Sequence, residues 1–219
     1  MSSMIETLSN DEIQKLFENK NDLIKSDVET QTLSADDFEY KLSLRRHEIE
    51  DEKLLDKFIK SCERLVRSSP EYKEWVAYIR DVLNIQQCEV TGEYDEQASC
   101  EIHHHPYSLY IIVKCVILSK MQNNKEFCSF DIAIEVIQLH FQMRVPFVSL
   151  LKSIHEKFTN GYLRLPMDLV HGDVKYILDT YSDYMDEEEL SCIHDRFTIN
   201  IDNCGWAKGY KWIVESQKS

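Results

Sequence analysis

Four histidines carry most of the chemistry this sequence could perform. His103, His104 and His105 stand in a row before Pro106, and His155 lies in the stretch Ile154-His155-Glu156-Lys157-Phe158-Thr159-Asn160-Gly161. Neutral imidazole is a good ligand for divalent metals and a general base near neutral pH. In an extended strand successive side chains alternate, so His103 and His105 point one way and His104 the other. One face of the triplet can therefore offer two imidazoles to a shared point. His155 falls on a helix, with Thr159 one turn later on the same face, and could complete such a site. Glu101 could orient a histidine or bind metal. His140 and His171 are spare candidates for a missing ligand, although the ordinary reading of each is a surface or core histidine. Cys100 and Cys115 flank the triplet at a spacing that fits no metal knuckle; small buried thiols are their default reading.

The elements that must hold these residues follow from periodicity and caps. A capping box from Ser9 to Glu12 starts a short helix through about Asn19, and residues 20–45 are charged without a sustained period. From His47 to Arg67, Leu54, Leu55, Phe58, Ile59, Cys62, Leu65 and Val66 recur at helical steps. Ser69-Pro70 begins a second helix, with Trp75, Tyr78, Ile79, Val82 and Leu83 as its buried stripe. Val90 to Ile102 reads as two short strands around a polar turn. Two apolar helices follow, Ser108 to Lys120 and Cys128 to Gln142, the second with Phe130, Ile134, Ile137 and Phe141 inward. Pro146 is expected to start a helix that runs through His155 and stops at Asn160-Gly161. After an extended piece from Tyr162 to Leu165 come a helix beyond Gly172-Asp173 and an acidic helix near Asp186. Phe197 to Ile201 and Trp206 to Val214 read as strand.

Composition sets the frame. The 219 residues include 43% hydrophobic side chains but only 5 Gly and 4 Pro, which argues for a largely helical chain with a sizeable core. The fold class expected is α+β and predominantly helical. Residues 1–84 form a helical N-terminal region; residues 85–219 hold the histidine core, a helical insert and an acidic C-terminal part. Seven cysteines without paired spacing, behind a polar start, predict reduced thiols in a soluble cytoplasmic protein. The longest apolar run, Leu109 to Leu118, is too short to span a bilayer, so no membrane partner is expected.

At the histidines the sequence resembles the HNH (ββα-metal) endonuclease family. The resemblance rests on Glu-Ile-His-His-His-Pro at 101–106 and His-Glu-Lys-Phe-Thr-Asn-Gly at 155–161, with Cys88-Glu89-Val90-Thr91-Gly92 ahead of them. It implies a ββα-metal core, with His104 as the base that activates water. It also implies His103 or His105 as strand ligand and His155 as helix ligand to one divalent metal (Mg2+, Mn2+, Ni2+ or Zn2+). Thr159 stands where the family's second helix histidine would be, a weaker ligand. Many members carry a zinc knuckle; here Cys88 keeps one of four positions while Thr91, Leu151 and Ile154 fill the rest, so no structural zinc is expected. The span between the two halves is longer than in the family and contains two extra helices. The charged helical N-terminus is similar to that of phage proteins, which implies the cytoplasm of a bacterial host as its location.

Two functions from different classes follow. One is a metal-dependent endonuclease hydrolysing DNA phosphodiesters, with Lys152, Lys157 and Arg164 touching phosphate. The other is a non-enzymatic acidic interaction protein on a degenerate HNH-like core, a phage regulator or inhibitor that mimics DNA and binds a host or phage protein. The formal charge of −14 weighs against broad contact with DNA. Residues 173–202 sharpen the point, with nine acidic residues against Lys175 and Arg196.

Overall fold

A computed structural model describes residues 51–93, 100–123 and 125–204. The helix expected at Ser9, the charged segment 20–45, all but Glu93 of the turn expected at 93–97 and the strand at Trp206 lie outside these residues. The described chain is predominantly helical with one small sheet.

Helix α1 (Glu52–Ser68) starts because the Asp51 carboxylate accepts from the backbone N–H groups of Lys53 and Leu54. It buries Ile59, Cys62 and Val66. Ser69 ends it and caps α2 (Pro70–Asp81), accepting from the Tyr72 N–H, while Pro70 occupies the first turn, where no donor is missed. Trp75 and Ile79 are buried as expected, but Val82 is 65% exposed, because the helix has ended at Asp81.

Strand β1 (Glu101–His104) is followed by α3 (Leu109–Gln122) and α4 (Ser129–Phe141). Ser108 caps α3, accepting from the Ile111 N–H, and α3 is buried over most of its surface. The inward face of α4 differs from the expected one. Ile132, Ala133, Val136, Ile137 and His140 are buried, whereas Phe130 and Ile134 lie 41% and 49% exposed. The helix is apolar nearly all round, so periodicity alone does not choose its inner face.

Pro146 does not begin a helix. It leads into strand β2 (Phe147–Leu150), all of it buried, and only then does α5 (Lys152–Thr159) carry His155. A short apolar run with β-branched and aromatic residues can be buried strand or buried helix, and pairing with β1 decides it. The two strands are antiparallel, with His104 opposite Phe147, His103 opposite Val148 and Glu101 opposite Leu150. Glu89 N–H donates to the Ser149 carbonyl beyond them, but Val90 belongs to a turn, not a strand.

The remainder is a 3-10 turn (Met167–Leu169), α6 (Tyr176–Tyr181), a second 3-10 turn (Ser182–Tyr184) and α7 (Glu187–Phe197). Asp186 and Glu189 form the capping box of α7. Residues 198–204 form turns, where Phe197 to Ile201 had been expected as strand. Thr198 and Asn203 there bond to local carbonyls. That side-chain bonding competes with a ladder.

Two apolar cores result, with the strand pair between them. The larger joins α1, α2, α3, α4, α6 and α7 around Trp75, Ile112, Val136 and Phe147. The smaller gathers Cys88, Val90, Cys100, Val148, Leu150, Ile154, Leu165 and Leu169. Gly172 fixes the connection that passes between them. Its φ is +89°, and a Cβ there would meet the Val145 and Met143 carbonyl oxygens at 3.1 and 3.2 Å. Gly172→Ala is expected to lower stability by about 1–3 kcal/mol, read from the urea midpoint. An unchanged midpoint would remove this glycine from the frame.

Candidate functional site: a strand with imidazoles on two faces

The alternation of β1 sorts its histidines as the sequence implies. His103 and Glu101 face α5, where His155 and Phe158 meet them. His103 Nδ1 lies 2.9 Å from His155 Nε2, and His155 Nδ1 lies 2.7 Å from the Glu101 carboxylate. The partners assign the tautomers. The carboxylate can only accept, so His155 carries its proton on Nδ1. Its Nε2 and His103 Nδ1 share one proton across their 2.9 Å contact. Glu101, read in the sequence as a possible orienter, thus takes that position behind His155. The three form a chain from carboxylate to imidazole to imidazole.

His105 follows on the same side, its ring centroid 6.2 Å from that of His103 and 5.5 Å from that of Phe158. It is fully buried, and neither ring nitrogen has a hydrogen-bond partner. Burial, then Arg196, pushes His105 down to about 3. Burial followed by the neighbouring His155 and His105 pushes His103 down to about 3. Arg196 is held close by donating to the Pro106 carbonyl.

His104 faces the opposite way, into the larger core, and is 5% exposed. Its ring stacks near Trp75 and lies 5.2 Å from His140, edge to face. His140 Nδ1–H donates to the Val136 carbonyl at 2.6 Å, so its Nε2 accepts from His104 Nε2–H at 2.9 Å. Burial holds His104 well below the ordinary imidazole value and takes His140 to about 4. Both are neutral core residues at pH 7.

Other expected site residues are dispersed. Thr159 is exposed and donates its hydroxyl to the His155 carbonyl one turn back, within its own helix. His171 bonds to the Glu89 carboxylate at 2.8 Å and stacks on Phe147. Lys152, Lys157 and Arg164 are exposed around α5. Where the resemblance would put a zinc knuckle, Cys88, Leu151 and Ile154 pack into the smaller core. Burial raises Cys62 and Cys115 to about 12, so neither is a thiolate near neutral pH.

Sequence reasoning passed over Tyr72, Trp75, Phe158 and Arg196, which wall the two histidine faces. One signal was present: Phe158 follows His155 by three residues and so shares its helix face.

Among the described residues no three His, Cys, Asp or Glu side chains converge to hold a metal. Two imidazole nitrogens bonded to each other, with one carboxylate behind, fall short of the three protein ligands usual for a catalytic zinc. In this arrangement the donor set does not fit a resident divalent ion. No helix among the described residues is long and apolar enough to cross a membrane.

Comparison with known proteins adds one finding. Neither the curated proteins nor the solved structures gave a match to this chain. The family model of bacteriophage G278-like virion proteins matches residues 4–199, nearly the whole length, and the chain therefore belongs to that family.

Proposed function

We propose that this protein acts without catalysis, as an acidic interaction component of a phage particle, with the histidine strand serving as structure. The observation that carries the reading is the position of His104. A general base must reach the water it deprotonates, directly or through one further water. His104 is sealed between the aromatic side chains of α2 and His140, and its Nε2–H is spent on His140. Membership of a virion-protein family supports a place in the particle.

The competing reading is the HNH-like endonuclease on a ββα-metal core. The antiparallel pair followed by α5 favours it, as does the carboxylate that orients His155. It requires His103 and His155 to part and a third donor to join them.

One experiment separates the two. Supercoiled plasmid is incubated with the protein and Mg2+, Mn2+ or Ni2+, beside His104→Ala and His155→Ala variants, and purified particles are assayed for the chain by mass spectrometry. The interaction reading expects no metal-dependent nicking and a fixed copy number per particle. Nicking that disappears in the His155→Ala protein would replace it with the nuclease.

A further inference from the structure

Helix α1 carries a feature that the histidine site does not use. Lys53, Lys57, Lys60, Arg64 and Arg67 recur at steps of four and three residues, and all five are exposed. At 3.6 residues per turn they form one row about 21 Å long, opposite the buried Ile59, Cys62 and Val66. Lys60 and Arg67 are paired with Asp56 and Glu63 of the same helix. Lys53, Lys57 and Arg64 make no ion pair among the described residues. Beyond the end of the row, a shallow groove of about 380 Å³ is lined by Arg67, Tyr72, Lys73, Val76 and Arg80.

Such a row is unusual in a chain of net charge −14, and its counterpart lies on the same molecule. The C-terminal segment exposes Asp183, Glu187, Glu188, Asp195 and Asp202, none in an ion pair among the described residues. Asp186 and Glu189 are already held by Lys114. Glu188 and Asp195 are seven residues apart on α7, and Lys57 and Arg64 are seven apart on α1. Each pair is spaced by about 10 Å along its helix axis, so two helices laid side by side can match charge for charge.

We propose that the basic row of α1 docks the acidic face of α7 in a second copy of this chain, giving head-to-tail assembly. The partner is specified by charge complementarity. Repulsion between the two net charges is largely screened beyond about 8 Å at physiological ionic strength, whereas side chains in contact are not. A duplex nucleic acid would match the row too, but would bring its phosphates against the rest of an acidic surface. Because the two patches differ, the contact is heterologous, and repetition closes a ring or extends a filament. The proposal rests on the interaction reading above and names a partner for it.

Sedimentation velocity of the full chain tests it over a concentration series at about 0.1 M and about 0.6 M NaCl. The wild type is expected to self-associate at the lower salt and dissociate at the higher. A Lys57→Glu/Arg64→Glu protein and a Glu188→Lys/Asp195→Lys protein should each weaken self-association about 100-fold. Mixed in equal amounts, the two should recover assembly, since the intact acidic face of the first meets the intact row of the second and the two reversed patches complement each other as well. Circular dichroism checks that both variants are folded. A wild type that stays monomeric at low salt overturns the proposal, as does self-association unaffected by the α1 changes. Duplex DNA bound through α1 by a monomeric protein overturns it in favour of nucleic acid. Particle copy number is measured separately, so a monomer that still copurifies with particles removes the head-to-tail contact and leaves the interaction reading standing.

Discussion

Replacing Trp75 with alanine should cost about 3–5 kcal/mol of folding stability, the range for deleting a large buried aromatic. The side chain is fully buried where α2, α4 and the strand pair meet. Its ring centroid lies 4.6 Å from His140, 5.3 Å from Phe147 and 5.5 Å from Tyr72. Nothing nearby can move in without opening the His104–His140 pair, so the cavity would stay largely unfilled. The indole N–H has no hydrogen-bond acceptor. Trp75→Phe therefore leaves no polar partner behind and should cost much less than Trp75→Ala. Urea unfolding of both variants measures the difference. A Trp75→Ala protein within about 1 kcal/mol of wild type would show that the joint between α2 and the strands is not where stability resides.

Acid should weaken the fold well before its carboxylates are neutralised. His105 and His140 are fully buried and held down to about 3 and about 4, against 6.5 for a free imidazole. The sign follows from which state takes up protons. Above pH 6.5 both states hold neutral rings and the groups are indifferent to pH. Below it the unfolded chain binds protons that the folded chain refuses, so stability falls until the folded values are reached. Each such group contributes about 1.4 kcal/mol per pH unit. From about pH 7.5 to pH 5 these two together should remove about 4 kcal/mol, a large share of a typical domain's stability. His104 acts in the same direction. Denaturation midpoints at about pH 7.5 and pH 5 provide the measurement, and His140→Gln should flatten the slope. A stability indifferent to pH across that range would refute the claim that these rings are buried and neutral.

The sequence disclosed the helices well and the strands poorly, for a physical reason. Caps at Ser69, Ser108 and Asp186 are local, and each marks a helix start within a few residues, whereas the cap at Asp51 was passed over in favour of a start at His47. Strand β2 has no local signature, since Phe147 to Leu150 is apolar throughout and becomes a strand only by pairing with a segment more than forty residues earlier. The same limit applied at the site. Alternation along β1 put His103 and His105 on one face, because that geometry is intrinsic to a strand; that His155 meets them there depends on where α5 packs. What lay on the other face was not legible: His104 meets His140 through the packing of α4, and no spacing encodes that contact. The resemblance to HNH proteins assigned His104 a role that depends on access to solvent, and access is a property of the whole fold. The row of cations on α1 is also a period of the sequence, but only the apolar face of that helix was read there.

The strand pair has a consequence for how the chain finds its alignment. A ladder of four residues offers few hydrogen bonds to tell one pairing from the next, and sliding by one position turns every side chain over. Here that slip would turn Glu101 toward the larger core, bring His103 or His105 beside Trp75 and strip His155 of its carboxylate. The triplet thus works as a key cut on both edges, and the wrong insertion fails on each side at once.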